Sequence, residues 1–267
     1  MTSETPPKSP LGILILHGFT ATGESVEALH KPLSDLGIPV LRPLLRGHGK
    51  QSPEALRGVR WSEWLLDATE AFDTLSQQAR RIVVVGHSMG ALLALNLATA
   101  YPEKIDSLVL VTPAFRLVSL LGPGRPLHFA ARILSTVFRK WNLQSVFADP
   151  DNASCTAHYE WAPTDAILSF FELVKHTTLK LSKVSCPVFI IHNRHENTVL
   201  PDSVELLGEG ISTPLEERKV LWLERSGHQV FCDCERELAV GAIVGYVSGR
   251  LALQSGLRNG ECEVAES

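Results

Sequence analysis

The chain has 267 residues, 45% of them hydrophobic and 20% charged, with a formal net charge of −4. That is ordinary globular composition with room for one sizeable core, and it excludes disorder or a membrane span as the organising feature. An acidic balance without a basic cluster argues against a nucleic-acid-binding surface.

The first ten residues, Met1 to Pro10, are polar and proline-rich and lack the apolar core of a signal peptide, which predicts a flexible tail and a cytoplasmic protein. Leu11 to Leu16 is an apolar run suited to a buried strand, and it ends in His17-Gly18-Phe19-Thr20. His17, at the strand end, reads as structural. Glu24 to Leu36 has a helical pattern closed by Gly37, and Pro39 to Pro43 reads as a short strand. Arg46-Gly47-His48-Gly49 is a turn-rich loop in which His48 supports its neighbours. Trp61, Trp64, Leu65, Ala68, Phe72 and Leu75 then repeat at helical spacing and predict a helix with one core face.

Arg81 to Ala91 reads R-I-V-V-V-G-H-S-M-G-A. Ile82 to Val85 predicts a strand buried on both faces, and Ala91 to Ala98 a helix free of Gly and Pro. Between them, Gly86-His87-Ser88-Met89-Gly90 has the Gly-x-Ser-x-Gly form of a strand–turn–helix elbow that pushes a serine hydroxyl out of the sheet. Side chains at Gly86 or Gly90 would collide with the neighbouring strand and helix. The N–H of Met89, at the first turn of the helix, is free to donate to a developing oxyanion. If the Leu11–Leu16 strand lies beside this one, the N–H of Phe19 reaches the same carboxyl edge and supplies a second donor.

Ser107 to Thr112 is the fourth strand. From Pro113 to about Lys183 the alternation stops: Leu127 to Trp141 and Thr164 to Leu181 read as helices with no strand between them. Such an insertion past the strand ends predicts a lid, with Leu120, Leu121, Ile133, Phe138 and Phe147 as candidate lining of an acyl pocket. Cys186 to His192 and Lys219 to Leu223 complete six strands, and about Glu235 to Leu253 forms a last helix before a frayed tail. Alternating strands and helices at this spacing predict a parallel sheet covered on both faces.

The loops after the fifth and sixth strands carry what the serine lacks. A serine hydroxyl needs an imidazole to take its proton, and His228 follows the last strand in Ser226-Gly227-His228. An imidazole needs a carboxylate to fix its tautomer, and Glu196 lies in Asn193-Arg194-His195-Glu196. Asp202, on the same loop, reads instead as the cap of a helix from Ser203 to Leu207. No carboxylate follows the fourth strand, where Pro113 and Ala114 stand. The five cysteines are an odd number without metal-ligand spacing and read as reduced thiols, so neither a metal nor an organic cofactor is expected.

Taken together, His17-Gly18-Phe19-Thr20, Arg46-Gly47-His48-Gly49, Gly86-His87-Ser88-Met89-Gly90, Arg194-His195-Glu196 and Ser226-Gly227-His228 resemble the bacterial carboxylesterase and monoacylglycerol lipase branch of the α/β-hydrolases. The likeness runs from about residue 11 to residue 250, strong in the motifs and weak in the lid. It implies an α/β-hydrolase fold: a mainly parallel six-stranded sheet flanked by helices, with a helical lid inserted after the fourth strand. The core would comprise residues 11–112 and 184–253, the lid 113–183, and the tails 1–10 and 254–267. Serine, carboxylate and histidine stand in the chain order of that superfamily. The resemblance also implies an oxyanion hole at Phe19 and Met89. Where the branch usually has aspartate, this chain has Glu196, one methylene longer.

The expected activity is hydrolysis of short to medium acyl esters or monoacylglycerols through an acyl-enzyme on Ser88. The partner is a small-molecule ester, and the oligomeric state is open. The same triad also serves carbon–carbon hydrolases and acyltransferases, and a non-catalytic ligand-binding protein could keep the pocket. A dehalogenase is disfavoured, because that chemistry needs a carboxylate at the place of Ser88.

Overall fold

The computed structural model describes residues 7–143, 147–148 and 158–256. Six apolar runs become one sheet: β1 (Ser9–Leu16), β2 (Val40–Leu41), β3 (Ala79–His87), β4 (Ile105–Val111), β7 (Val188–Asn193) and β8 (Arg218–Leu223). The spatial order is β2-β1-β3-β4-β7-β8, and every neighbouring pair is parallel. β1 and β3, the two strands that carry the motif loops, lie side by side with Leu16 opposite Gly86.

Successive side chains of a strand point to opposite faces, so each strand feeds two cores. Leu14, Leu16, Val84, Leu108 and Ile190 enter one core, closed by α2 (Trp61–Gln78), α3 (Met89–Ala100), α5 (Thr164–Thr178) and α6 (Asp202–Gly210). Ile13, Ile15, Val83, Val85, Val109 and Ile191 enter the other, closed by α7 (Arg236–Gln254) and the segment around α1 (His30–Ser34). Coverage of both faces is why the strands are continuous apolar runs rather than alternating ones. α3 is buried from Met89 to Ala98, and its sequence is correspondingly apolar all round.

Several elements differ from the sequence expectation. The helix expected over Glu24–Leu36 is a 3-10 helix, Gly23–Leu29, followed by the short α1. Pro32 cannot supply the N–H that a continuous α-helix would need there. The helix expected to reach Trp141 stops at Val137, as α4 (His128–Val137). Beyond it, β5 (Lys140–Asn142) pairs antiparallel with β6 (Trp161–Pro163), so the stretch read as strandless contains a small hairpin-like sheet. Aromatic residues such as Trp141 and Trp161 suit a half-covered pleated surface, and a partner distant in sequence decides the outcome. Asp202 is the first residue of α6 rather than its cap, which is Pro201.

Between β4 and β7 the chain therefore runs through α4, β5, β6 and α5. α4 turns Phe129, Ile133 and Val137, spaced four apart, outward, and these are 74%, 66% and 71% exposed. No helix among the described residues is long and apolar enough to cross a membrane. The expectation of reduced thiols holds at Cys186 and Cys234 but is corrected at Cys232, which is disulfide-bonded. Spacing along the chain does not report which cysteines meet in the fold, and such bonds persist chiefly in oxidising compartments. Cys155 and Cys262 lie outside the described residues, as does the tail from residue 257.

Candidate active site

β3 ends at His87, and the next residue turns the chain into α3 at once. Ser88 has φ 55° and ψ −112°, a conformation that non-glycine residues rarely hold unless their surroundings impose it. The surroundings do so here. The Ser88 N–H donates to the Val111 carbonyl of β4 at 2.8 Å, and both flanking glycines are in tight contact. A Cβ on Gly86 would lie 2.4 Å from the Gly90 carbonyl oxygen, and one on Gly90 would lie 2.2 Å from that of Leu16. α3 thus rests directly on the end of β1. Gly90→Ala must push the helix off that strand. The expected cost is about 3 kcal/mol of stability, together with loss of any Ser88-dependent rate, read from the urea midpoint and from turnover of the soluble fraction.

Ser88, His228 and Glu196 come from three separate loops at the carboxyl edge of the sheet and form one hydrogen-bonded chain. The Ser88 hydroxyl lies 2.9 Å from His228 Nε2, and His228 Nδ1 donates to Glu196 Oε2 at 2.7 Å. All three residues are buried. The extra methylene of Glu196 therefore does not spoil the contact with the imidazole. The other carboxylate oxygen, Oε1, has no hydrogen-bond partner and faces His192 Nε2 at 3.9 Å. His192 donates from Nδ1 to the Asn193 carbonyl, and burial lowers its pKa although Glu196 opposes the shift. His195 and Asp202 take no part in this chain: His195 projects outward beside Glu224, and Asp202 opens α6.

The loop that carries His228 is fixed by two carboxylates that the sequence reading had not singled out. Glu235 accepts the N–H groups of Glu224, Arg225 and Ser226, and Asp233 accepts that of Gly227 at 2.8 Å. Burial pushes the Glu235 pKa up, but these donors outweigh it and hold the carboxyl below its usual range. Asn193 Nδ2 donates to the Gly227 carbonyl, and His87 Nε2 donates to the carbonyl of His228 itself at 2.8 Å. Burial lowers the His87 pKa to about 3, so this ring stays neutral. Short-range sequence signals could mark none of these, because every contact joins segments that are far apart or lies inside an irregular loop.

Phe19 and Met89 flank the serine. Met89 is the first residue of α3, so its N–H has no intrahelical acceptor. Gly18 packs against Ser88 closely enough that a Cβ there would meet the serine Cβ at 3.2 Å, which carries the following Phe19 to the same edge. The Phe19 ring stacks on Phe170 of α5, with centroids 5.3 Å apart and planes within 5°. His17, read as structural, is that: its Nε2 accepts the Leu45 N–H at 3.0 Å, and burial lowers its pKa to about 4.

Ser88 and His228 open into a cavity of about 440 Å³. Its apolar wall includes Leu117, Leu121, Ile167, Leu168, Phe170 and Phe171. Of the five residues expected to line an acyl pocket, only Leu121 does so among the described residues. Leu120, Ile133 and Phe138 are exposed, and Phe147 packs its ring near His158. The helical rhythm of α4 marked an apolar face without saying whether that face turned inward. Among the described residues that line this cavity there is no Asp, Glu, Lys or Arg. No cluster that could hold a metal ion occurs among the described residues.

A family profile described as serine aminopeptidase S33 matches residues 8–235. The chain belongs to this family. Among curated relatives, this S33 member is similar to a thermostable monoacylglycerol lipase of Bacillus sp. (strain H-257), 27% identical over 86% of this chain and 88% of the lipase. It is also similar to a carboxylesterase of Bacillus subtilis (strain 168), 22% identical over 85% of this chain and 87% of that one. Among solved structures, it is similar to one of the metagenome-derived lipolytic enzymes LipS and LipT, with a TM-score of 0.81 and 26% identity. That match covers 91% of the S33 member and 95% of the other chain. The α/β-hydrolase fold expected from the motifs is thus the fold of the molecule, with all six strands in one sheet.

Proposed function

We propose that this protein is a serine ester hydrolase that cleaves neutral acyl esters, monoacylglycerols or short to medium acyl carboxylic esters, through an acyl-enzyme on Ser88. The observation that carries the reading is the continuous Ser88–His228–Glu196 chain at the mouth of a largely apolar cavity whose described lining has no Asp, Glu, Lys or Arg. His228 takes the hydroxyl proton as Ser88 attacks the ester carbonyl. Glu196 holds the Nδ1–H tautomer and stabilises the imidazolium that forms. The N–H groups of Phe19 and Met89 receive the tetrahedral oxyanion, and His228 returns its proton to the leaving alcohol. Water activated by the same imidazole then releases the acid.

The cavity lining separates this reading from its rivals. A peptide N-terminus carries an ammonium group that wants a carboxylate partner, and a carboxylate-bearing carbon–carbon substrate wants a cation. Neither is present among the described lining residues, whereas Leu117, Ile167, Leu168 and Phe170 suit an alkyl chain. The names of the Bacillus relatives, a monoacylglycerol lipase and a carboxylesterase, point the same way. Residues 113–183, which supply most of this lining, act as a lid in this reading.

The test is turnover of a p-nitrophenyl ester series from acetyl to palmitoyl, a monoacylglycerol and an amino-acyl p-nitroanilide, with Ser88→Ala as the blank. An ester rate that depends on Ser88 and peaks at one chain length is the expected result. A Ser88-dependent rate on the anilide alone would replace the esterase reading with a peptidase one. No Ser88-dependent rate on any of them would leave ligand binding or carbon–carbon cleavage to be taken up.

A further inference from the structure

Thr20, next to Phe19, has φ 62°, in the left-handed region that β-branched residues avoid. Both of its backbone groups are held. Its N–H donates to His48 Nε2 at 3.1 Å, and its carbonyl accepts the N–H of Tyr159 at 3.0 Å. His48 is fully buried, and its Nδ1 faces the carbonyls of Leu45 and Arg46 at 3.3 and 3.1 Å. Those two acceptors require the Nδ1–H tautomer, which leaves the Nε2 lone pair for Thr20. Burial keeps the His48 pKa well below its ordinary value, so the ring remains an acceptor in mildly acidic solution.

Tyr159 reaches the same loop from the segment between β4 and β7. Its hydroxyl accepts the Lys50 N–H at 2.8 Å and donates to the Gly47 carbonyl at 3.2 Å. An antiparallel bridge between Ala21 and His158 extends the contact. The 45–50 loop therefore grips Thr20 from two directions, through the His48 ring and by way of Tyr159. The stack of Phe19 on Phe170 fixes the phenyl ring but leaves the direction of the Phe19 N–H to the backbone.

We propose that His48 and Tyr159 are positioning residues that hold Thr20 in its left-handed conformation and so aim the Phe19 N–H at the oxyanion, Tyr159 making that aim depend on the segment between β4 and β7. The inference rests on the reading of Phe19 as an oxyanion donor given above. Without either grip Thr20 relaxes toward negative φ, and the peptide units on its N-terminal side turn with it. Donors preorganised for the transition state lose their effect when displaced by an ångström, while the ground-state ester is bound as before.

The experiment compares wild type, His48→Phe and Tyr159→Phe in the full chain. It reads kcat and KM on the best p-nitrophenyl ester, the inhibition constant of an alkyl trifluoromethyl ketone that forms an oxyanion adduct with Ser88, and the thermal midpoint. His48→Phe is expected to lower kcat about a hundredfold, and Tyr159→Phe about tenfold, with KM changed by less than about twofold. The trifluoromethyl ketone should weaken by the same factor as kcat/KM. A purely structural role would lower the midpoint and the active fraction without moving that ratio. An unchanged kcat, or a loss confined to KM, in either folded variant overturns the proposal. Should His48→Phe not fold, Tyr159→Phe decides the matter, since it deletes a single hydroxyl. A wild type without any Ser88-dependent turnover would instead remove the reading beneath the proposal.

Discussion

Ser88→Ala is expected to lower ester turnover by about a million-fold, to the level of the uncatalysed background plus whatever the bare cavity and oxyanion donors contribute. The size of the loss follows from where the hydroxyl sits. Its oxygen is 2.9 Å from His228 Nε2, the nitrogen placed to take its proton, at the tip of a turn the protein holds at positive φ. Alanine keeps the Cβ, so the packing of Gly18 against it is preserved and the fold is expected to survive. His228→Ala should cost about as much, and the double variant little more, because the residues act as one unit. The measurement is the steady-state rate with active-site titration by a fluorophosphonate, which labels wild type and not Ser88→Ala. Residual turnover within about a hundredfold of wild type in a titrated, folded sample would mean that another group attacks the ester.

Glu196→Gln should lower kcat about ten-thousand-fold while leaving KM nearly unchanged. The carboxylate is buried, and its Oε2 receives the Nδ1–H of His228 at 2.7 Å. An amide of the same shape can accept that proton only in one orientation, and it offers no charge to the imidazolium of the transition state. Glu196→Asp keeps the charge and retracts it by about one bond. A milder loss of about a hundredfold is expected there, since a displacement of this order weakens an aligned catalytic contact. Both variants are judged from kcat on the best ester and from circular dichroism of the purified proteins. Near-full activity in a folded Glu196→Gln protein would move the acid elsewhere, with Asp202 at the start of α6 as the next residue to replace.

The elbow was legible because its signal is local. A run of valines, two glycines around a serine and an unbroken helix former stretch all lie within Arg81–Ala98, and each residue type has its own steric reason. The six strands were legible for a related reason: burial on both faces writes an apolar run that needs no partner to be seen. Glu196 and His228 could be selected because each stands in a loop just past a strand end, and parallel topology carries such loops to one edge. What the sequence hid depends on contacts between distant segments. Trp141 and Trp161 become strand residues only when their two segments pair, Trp141 opposite Ala162 and Trp161 opposite Asn142, and the apolar rhythm of α4 does not say that its face turns outward. The grip on Thr20 joins it to His48, 28 positions on, and through Tyr159 brings together residues more than a hundred positions apart, and neither side announces the other.

Phe129, Ile133 and Val137 on one side of α4, with Leu127 and Phe138 also exposed at its ends, leave five large apolar side chains exposed within twelve residues. Fluorescent dyes such as anilinonaphthalene sulfonate report exposed apolar surface and are commonly used to diagnose loosened packing. Here the fully folded protein supplies such surface before anything has melted. Bright dye emission at room temperature and strong retention on a phenyl resin are therefore expected of the folded chain, and a dye-monitored melt is expected to begin from a raised baseline.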